Sequence, residues 1–136
     1  MASARIKWTG EKEFIGVDST NHSVVISTPA ENTGMKPSEL LLVALASCTA
    51  VDVVEILAKK KLTLTGLEIF ATGEQEADPP WTFRKIHLKY VFRGKDLTEK
   101  AVEQAIALSE EKYCSVAATI RGKAEITTSY ELHLEE

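Results

Sequence analysis

The sequence predicts an α+β fold with the element order βββ-α-ββ-α-β. Strands and helices come in groups rather than in strict alternation, which argues against a doubly wound parallel sheet. One long apolar stretch is bounded on both sides by residues that start and stop helices. The composition is globular: 136 residues, 44% hydrophobic and 26% charged, with only 7 glycines and 4 prolines. That length predicts a single domain over residues 1–136, and the composition argues against disorder.

Residues 4–9 alternate, Ile6 and Trp8 against Arg5 and Lys7, and residues 13–17 make a short second strand around Gly16. The β-branched run HSVVIS at 22–27 follows the turn-forming Asp18-Ser19-Thr20-Asn21 and completes a small meander. Residues 28–36, with Pro29 and Gly34, are a loop. Pro37 opens a helix whose first turn holds Ser38 and Glu39, where negative charge suits the macrodipole. This helix is apolar on all sides over 40–51, continues through DVVEILA and ends at Lys59-Lys60-Lys61, cations that complement its C-terminus. A helix apolar all round is buried all round. One sheet of so short a chain cannot enclose it, so a second subunit is expected against it.

Residues 62–77 and 82–93 read as two long strands, and the paired Pro79-Pro80 keep the connection between them out of the ladder. Gly94 breaks the second strand. Thr98 caps a helix with Val102, Ala105, Ile106 and Ser109 at helical spacing, running to about Lys112. After a turn at 113–116, residues 124–134 form the last strand.

The net charge of −4 gives no electrostatic reason to expect nucleic acid or an anionic membrane as partner. Sparse, unclustered aromatics argue against a stacking surface for single strands. The longest apolar run, 40–51, covers 12 residues and ends at Asp52, against the roughly 18–20 of a membrane span. No apolar segment of signal-peptide type opens the chain. A cytoplasmic location is expected, where a conspicuous cysteine is more often reactive than structural. His22, His87 and His133 are scattered singly, and no HxH, HExxH or CxxC occurs, so no metal site is expected. Phosphate-binding glycine loops and a GxSxG elbow are also absent from the sequence.

The 2 cysteines remain, Cys48 and Cys114, too few for a disulfide scaffold. Cys48 lies mid-helix, sharing a face with Ala44, Val51, Asp52 and Glu55. Two carboxylates near a thiol in apolar surroundings should raise its pKa, the wrong direction for a nucleophile, so a cation has to reach it if it is to react. The alternative is a small hydrophobe filling a core slot. Cys114, 66 residues later, either opens a short helix whose N-terminus would lower its pKa or fills a buried turn. The pair is a redox pair only if the fold brings the two together.

KPSELLLVALASCTAVDVVEILAKK at 36–60, followed by LSEEKYCSVAATI at 108–120, resembles the OsmC/Ohr family (osmotically inducible protein C / organic hydroperoxide resistance) of thiol peroxidases. It is closest to the YhfA-like branch, in which a Cys-Thr-x-x-Asp-Val-Val helix and a Glu-Lys-Tyr-Cys-Ser-Val turn recur. The resemblance extends to FIGVDSTNHSVVISTP at 14–29 and YVFRGKDLTEKAVEQAIALS at 90–109, nearly the whole chain. It implies an OsmC-like fold: long antiparallel sheets wrapped around two central helices in an intertwined homodimer, with active sites at the subunit interface. It implies two-electron reduction of a small organic hydroperoxide, with Cys48 as the attacking thiolate and Cys114 as the thiol that resolves the sulfenic acid to a disulfide. An external dithiol, in some members a lipoylated protein, would restore both thiols, and no metal, flavin or other cofactor is implied.

The sequence departs from the pattern in its activating residues. Better-studied peroxidase members place a glutamate ten residues before the nucleophile and an arginine in the N-terminal meander. Here Ser38 holds the first position and the carboxylate follows at Glu39, about 180° from Cys48 on a regular helix, whereas Ser38 lies about 80° away. In the meander Lys12 stands near Glu11 and Glu13. Lys12 or Arg5 could substitute, without a lysine supplying the planar fork of an arginine. Asp52 or Glu55 holding a cation is another way to rebuild the device. Three functions therefore compete: a peroxidase, a module binding a hydrophobic small molecule at the dimer interface, and a thiol redox sensor.

Overall fold

In the computed structural model, which describes residues 1–136, the chain groups into two units, Met1–Leu41 and Leu42–Glu136. The first is the expected meander. β1 (Ala4–Gly10), β2 (Glu13–Asp18) and β3 (Ser23–Ser27) pair antiparallel in that order. Ile6 faces Gly16 and Trp8 faces Phe14 across the ladder, and both Ile6 and Trp8 are exposed. Asp18 shapes the β2–β3 turn, its Oδ1 accepting the backbone N–H groups of Thr20 and His22, each at 3.0 Å. The following loop folds back on β3. Met35 N–H donates to the Val25 carbonyl at 2.9 Å, and the buried Ser27 hydroxyl accepts Thr33 and Gly34 N–H groups at 3.1 and 3.0 Å. A side chain on Gly34 would strike the Val25 carbonyl, so the close approach requires glycine.

α1 (Pro37–Lys59) begins in the first unit and runs into the second. Its buried residues are Leu45, Thr49, Val53 and Leu57, a four-residue repeat that keeps them on one face. The second unit adds a three-stranded sheet, β4 (Leu64–Gln75), β5 (Phe83–Gly94) and β6 (Glu125–Leu134), with β5 central. Between β5 and β6 come α2 (Glu99–Leu108), a π-helical turn (Ser109–Tyr113) and the short α3 (Ser115–Ile120). Alternate residues Ile86, Leu88, Tyr90 and Phe92 of β5 are fully buried, as a strand with one face in the core requires. They join the α1 face and Ala101, Val102, Ala105 and Ile106 of α2 in one core. The Tyr90 and Phe92 rings stack at 5.9 Å. Thr98 caps α2 as expected, accepting Ala101 N–H at 3.1 Å.

The structure amends the expected architecture in three places. β6 pairs with β5 in parallel, so this sheet is mixed, where the resemblance implied antiparallel strands. The helical connection over residues 95–124 supplies the crossover that a parallel pair needs. Second, the predicted helix ending near Lys112 leaves α-geometry after Leu108, and a third helix follows Cys114. Third, α1 extends beyond its apolar run; within this chain it is buried on one side only, in line with the expectation that one sheet cannot enclose it, and Val43, Val51 and Val54 are 45%, 57% and 46% exposed. At 23 residues it is also long and apolar enough, by length and composition, to cross a bilayer. The 12-residue run read from the sequence underestimates it, because the helix continues past Asp52 to Lys59.

Candidate functional site

The second unit brings three of the residues singled out in the sequence to one place. The sulfurs of Cys48 and Cys114 and a carboxylate oxygen of Asp52 all lie within 4.8 Å of one another. Cys48 and Asp52 meet because they stand four apart on α1, on the same face. Cys114 arrives from the far end of the α2 connection, and the π-turn sets where it lands. Its backbone N–H donates to the Ser109 carbonyl five residues back, at 2.8 Å, the wider turn that marks a π-helical insertion. Cys114 then leaves helical geometry (φ −77°, ψ 105°) and caps α3, its sulfur accepting Ala117 N–H at 3.3 Å. It is buried, whereas Cys48 and Asp52 keep partial access to solvent.

The two thiols are driven in opposite directions. Burial pushes the Cys48 thiol up. The S–H of Cys114, the N–H of Val116 and the hydroxyl of Ser115 donate to its sulfur and outweigh that effect, leaving it below its ordinary value despite an upward push from Asp52. The Cys114 thiol is pushed up to about 11, chiefly by burial and then by the hydrogen bond it gives Cys48, with Ala117 and Val116 N–H groups opposing. This corrects the expectation that nearby carboxylates leave Cys48 raised. The Asp52 effect has the expected sign, but hydrogen-bond donors at the start of α3 exceed it, and none of those donors is a cation.

Asp52 is held by a residue whose part the sequence did not disclose. The fully buried Ser109 hydroxyl donates to Asp52 Oδ2 at 2.9 Å. Its signal was present, a serine at a core position of the Val102–Ala105–Ile106–Ser109 spacing. Behind the cluster the buried Tyr90 hydroxyl has no hydrogen-bond partner. Its pKa is pushed up to about 12, mainly by burial; the nearby Thr49 hydroxyl opposes this, and Glu110, Cys114 and Asp52 add to it. Glu110 also has a buried, unpartnered carboxylate oxygen. Its carboxyl is raised, chiefly by burial and further by Glu111, against the lowering effect of Arg121.

The other predicted supporting residues are all exposed. Glu55 is exposed, on a groove of about 350 Å³ that it lines with Asp52, Ile56, Lys59, Lys60, Leu108 and Tyr113. Glu39 is exposed and pairs with Lys36 at 3.4 Å. Lys12 is exposed in the β1–β2 turn, its carbonyl accepting Thr28 N–H at 3.3 Å. Arg5 is exposed on β1, opposite Val17. A larger groove of about 580 Å³ between α2 and β6 holds neither thiol.

Residues 30–129 match the family model described as OsmC-like protein. The Escherichia coli (strain K12) protein YhfA is 36% identical over 129 residues, spanning 95% of this chain and 96% of that one. A hypothetical protein from Aquifex aeolicus VF5 superposes with a TM-score of 0.90 at 34% identity, covering 100% of this chain and 98% of its own. The organic hydroperoxide resistance protein OhrB of Bacillus subtilis gives a TM-score of 0.65 at 18% identity over 96% of this chain and 98% of its own, a likeness of fold.

Proposed function

The chain belongs to the OsmC-like family, and on that premise we propose that it reduces organic hydroperoxides to alcohols through Cys48 and Cys114. The observation that carries this reading is the close thiol pair: two sulfurs within 4.8 Å, one lowered and the other raised. The Cys48 thiolate attacks the outer oxygen of R–O–O–H; an S–O bond forms as the O–O bond breaks, and the alkoxide RO⁻ leaves and takes a proton to become ROH. Cys48 is then a sulfenic acid. The Cys114 sulfur displaces its hydroxyl as water, giving the disulfide without a long movement of chain. An external dithiol supplies the two electrons that restore the pair, and no metal or flavin is needed.

In this reading Ser115, Val116 and Cys114 replace the arginine–glutamate device of better-studied members, because each donates to the Cys48 sulfur. The groove beside Asp52 offers the apolar side chains of Ile56, Leu108 and Tyr113 to the organic part of the substrate. We further propose a homodimer, in which a second copy covers the exposed α1 face of Val43, Val51 and Val54; an apolar stripe of this kind is what a partner subunit buries. A cytoplasmic location keeps both thiols reduced between turnovers.

The test is to mix reduced protein with one equivalent of tert-butyl hydroperoxide and follow free thiols and intact mass. The wild type should lose both thiols and two hydrogens per chain, Cys48→Ser should not react, and Cys114→Ser should stop after one oxidation. Persistence of both thiols, or equal turnover by Cys48→Ser, would overturn the reading.

A further inference from the structure

The same three side chains meet the requirements of a different chemistry, and it stands on their geometry whether or not peroxide is the substrate. We propose that the reduced chain binds a thiophilic divalent cation, of which Zn²⁺ is the model, through Cys48 Sγ, Cys114 Sγ and an Asp52 carboxylate oxygen. Short-range spacing could not disclose it, because two ligands are four residues apart on α1 and the third comes 66 residues after the first. The fold closes that gap to 4.8 Å or less between ligand atoms.

A tetrahedral zinc ion with Zn–S near 2.3 Å and Zn–O near 2.1 Å places its sulfurs about 3.8 Å apart and sulfur and oxygen about 3.6 Å apart. The observed ligand atoms, all within 4.8 Å of one another, lie within reach of these separations. Two sulfurs with one carboxylate oxygen are a soft to borderline donor set, which selects zinc-like ions over magnesium or calcium. Three protein ligands leave the fourth position to water, on the side where Cys48 and Asp52 retain access to solvent.

The outer shell is already built. Ser109 donates to Asp52 Oδ2 at 2.9 Å, which holds the carboxylate in place. Ala117 N–H donates to Cys114 Sγ at 3.3 Å. Two thiolates and one carboxylate exceed the charge of a divalent ion by one, and these donors spread the excess. As the two S–metal bonds form, the two thiol protons pass to solvent and nothing is oxidised or reduced. Both sulfurs are consumed as ligands, so ion binding and disulfide formation exclude each other.

Co²⁺ added to the fully reduced protein is the probe, because thiolate ligation gives a sulfur-to-cobalt charge-transfer band and tetrahedral geometry gives intense visible bands. One Co²⁺ per chain with both signatures is expected, displaced by Zn²⁺ and absent from the disulfide form of the same polypeptide, a control that needs no substitution. Cys48→Ser should lose the tetrahedral spectrum. Ser109→Ala, with all three ligands intact, should bind about 10- to 100-fold more weakly. A spectrum without charge-transfer intensity, or one that survives both disulfide formation and Cys48→Ser, would overturn the proposal. The readout is spectroscopic, so failure of peroxide turnover and failure of metal binding are separate results.

Discussion

Replacing Cys114 with alanine should slow the first oxidation of Cys48, not merely prevent disulfide closure. Cys114 donates its S–H to the Cys48 sulfur and is one of three donors that hold that thiol below its ordinary value. A thiol is a weak donor, so the lower range for a hydrogen bond, about 1 kcal/mol, applies. At 1.36 kcal/mol per pKa unit this raises the Cys48 pKa by about 0.7 unit, leaving about fivefold less thiolate at pH values below it. A more basic thiolate is a better nucleophile, with a Brønsted slope of about 0.4–0.5. That returns about half of the loss on a logarithmic scale and leaves a net slowing of about two- to threefold. Cys114→Ser keeps a hydroxyl donor and a good helix cap, and is the matched control. Because the chain has 2 cysteines, each variant leaves Cys48 as the sole thiol, and its ultraviolet thiolate absorbance can be titrated without ambiguity. A Cys48 pKa in Cys114→Ala equal to or below that in Cys114→Ser would refute the reasoning.

Four further outcomes are expected. Asp52→Asn should lower the Cys48 pKa, since Asp52 pushes it up; the same absorbance titration in a Cys114→Ser background reads it, and a rise would contradict the assignment. Glu110 has a raised pKa in the fold, chiefly through burial, so the folded chain binds its proton more tightly than the unfolded one. Its contribution to stability is fully present below the ordinary carboxylate range and is lost as pH rises through the raised value; Glu110→Gln should flatten that loss in urea unfolding measured across pH. Leu45 is fully buried on α1, and Leu45→Ala should cost about 2–5 kcal/mol, whereas Val51→Glu, on the exposed face, should leave each subunit folded and convert a dimer to monomers in sedimentation.

Much of this architecture was legible from local chemistry. Alternation gave the strand around Ile6 and Trp8, Pro37 and the triple lysine bounded α1, and Thr98 marked the start of α2. The strand pairing of β6 was not legible, because the direction in which a strand returns depends on where its crossover packs and not on its own residues. The sign of the Cys48 shift was missed for a related reason. Helical spacing shows Asp52 and Glu55 as neighbours of the sulfur, but the donors Ser115 and Val116 come from a segment distant in sequence. Spacing also grouped Glu55 with the site, although its side chain turns to solvent. Ser109 was seen as a helical position and not as a partner for Asp52, since its acceptor lies on another helix.

The π-turn at Ser109–Tyr113 makes the site depend on a count as well as on identities. A turn of this kind is an α-helix carrying one residue too many, and removing one residue would let α2 resume its ordinary winding. Everything beyond would then rotate by about 100° about the helix axis, carrying Cys114 and the donors of α3 away from Cys48. Ala101, Val102, Ala105 and Ile106 precede the insertion and would keep their places in the core. A chain one residue shorter here could preserve every side chain named in the site and still separate its two thiols, so an insertion or deletion between Ile106 and Cys114 is a change of chemistry in a fold that need not notice it.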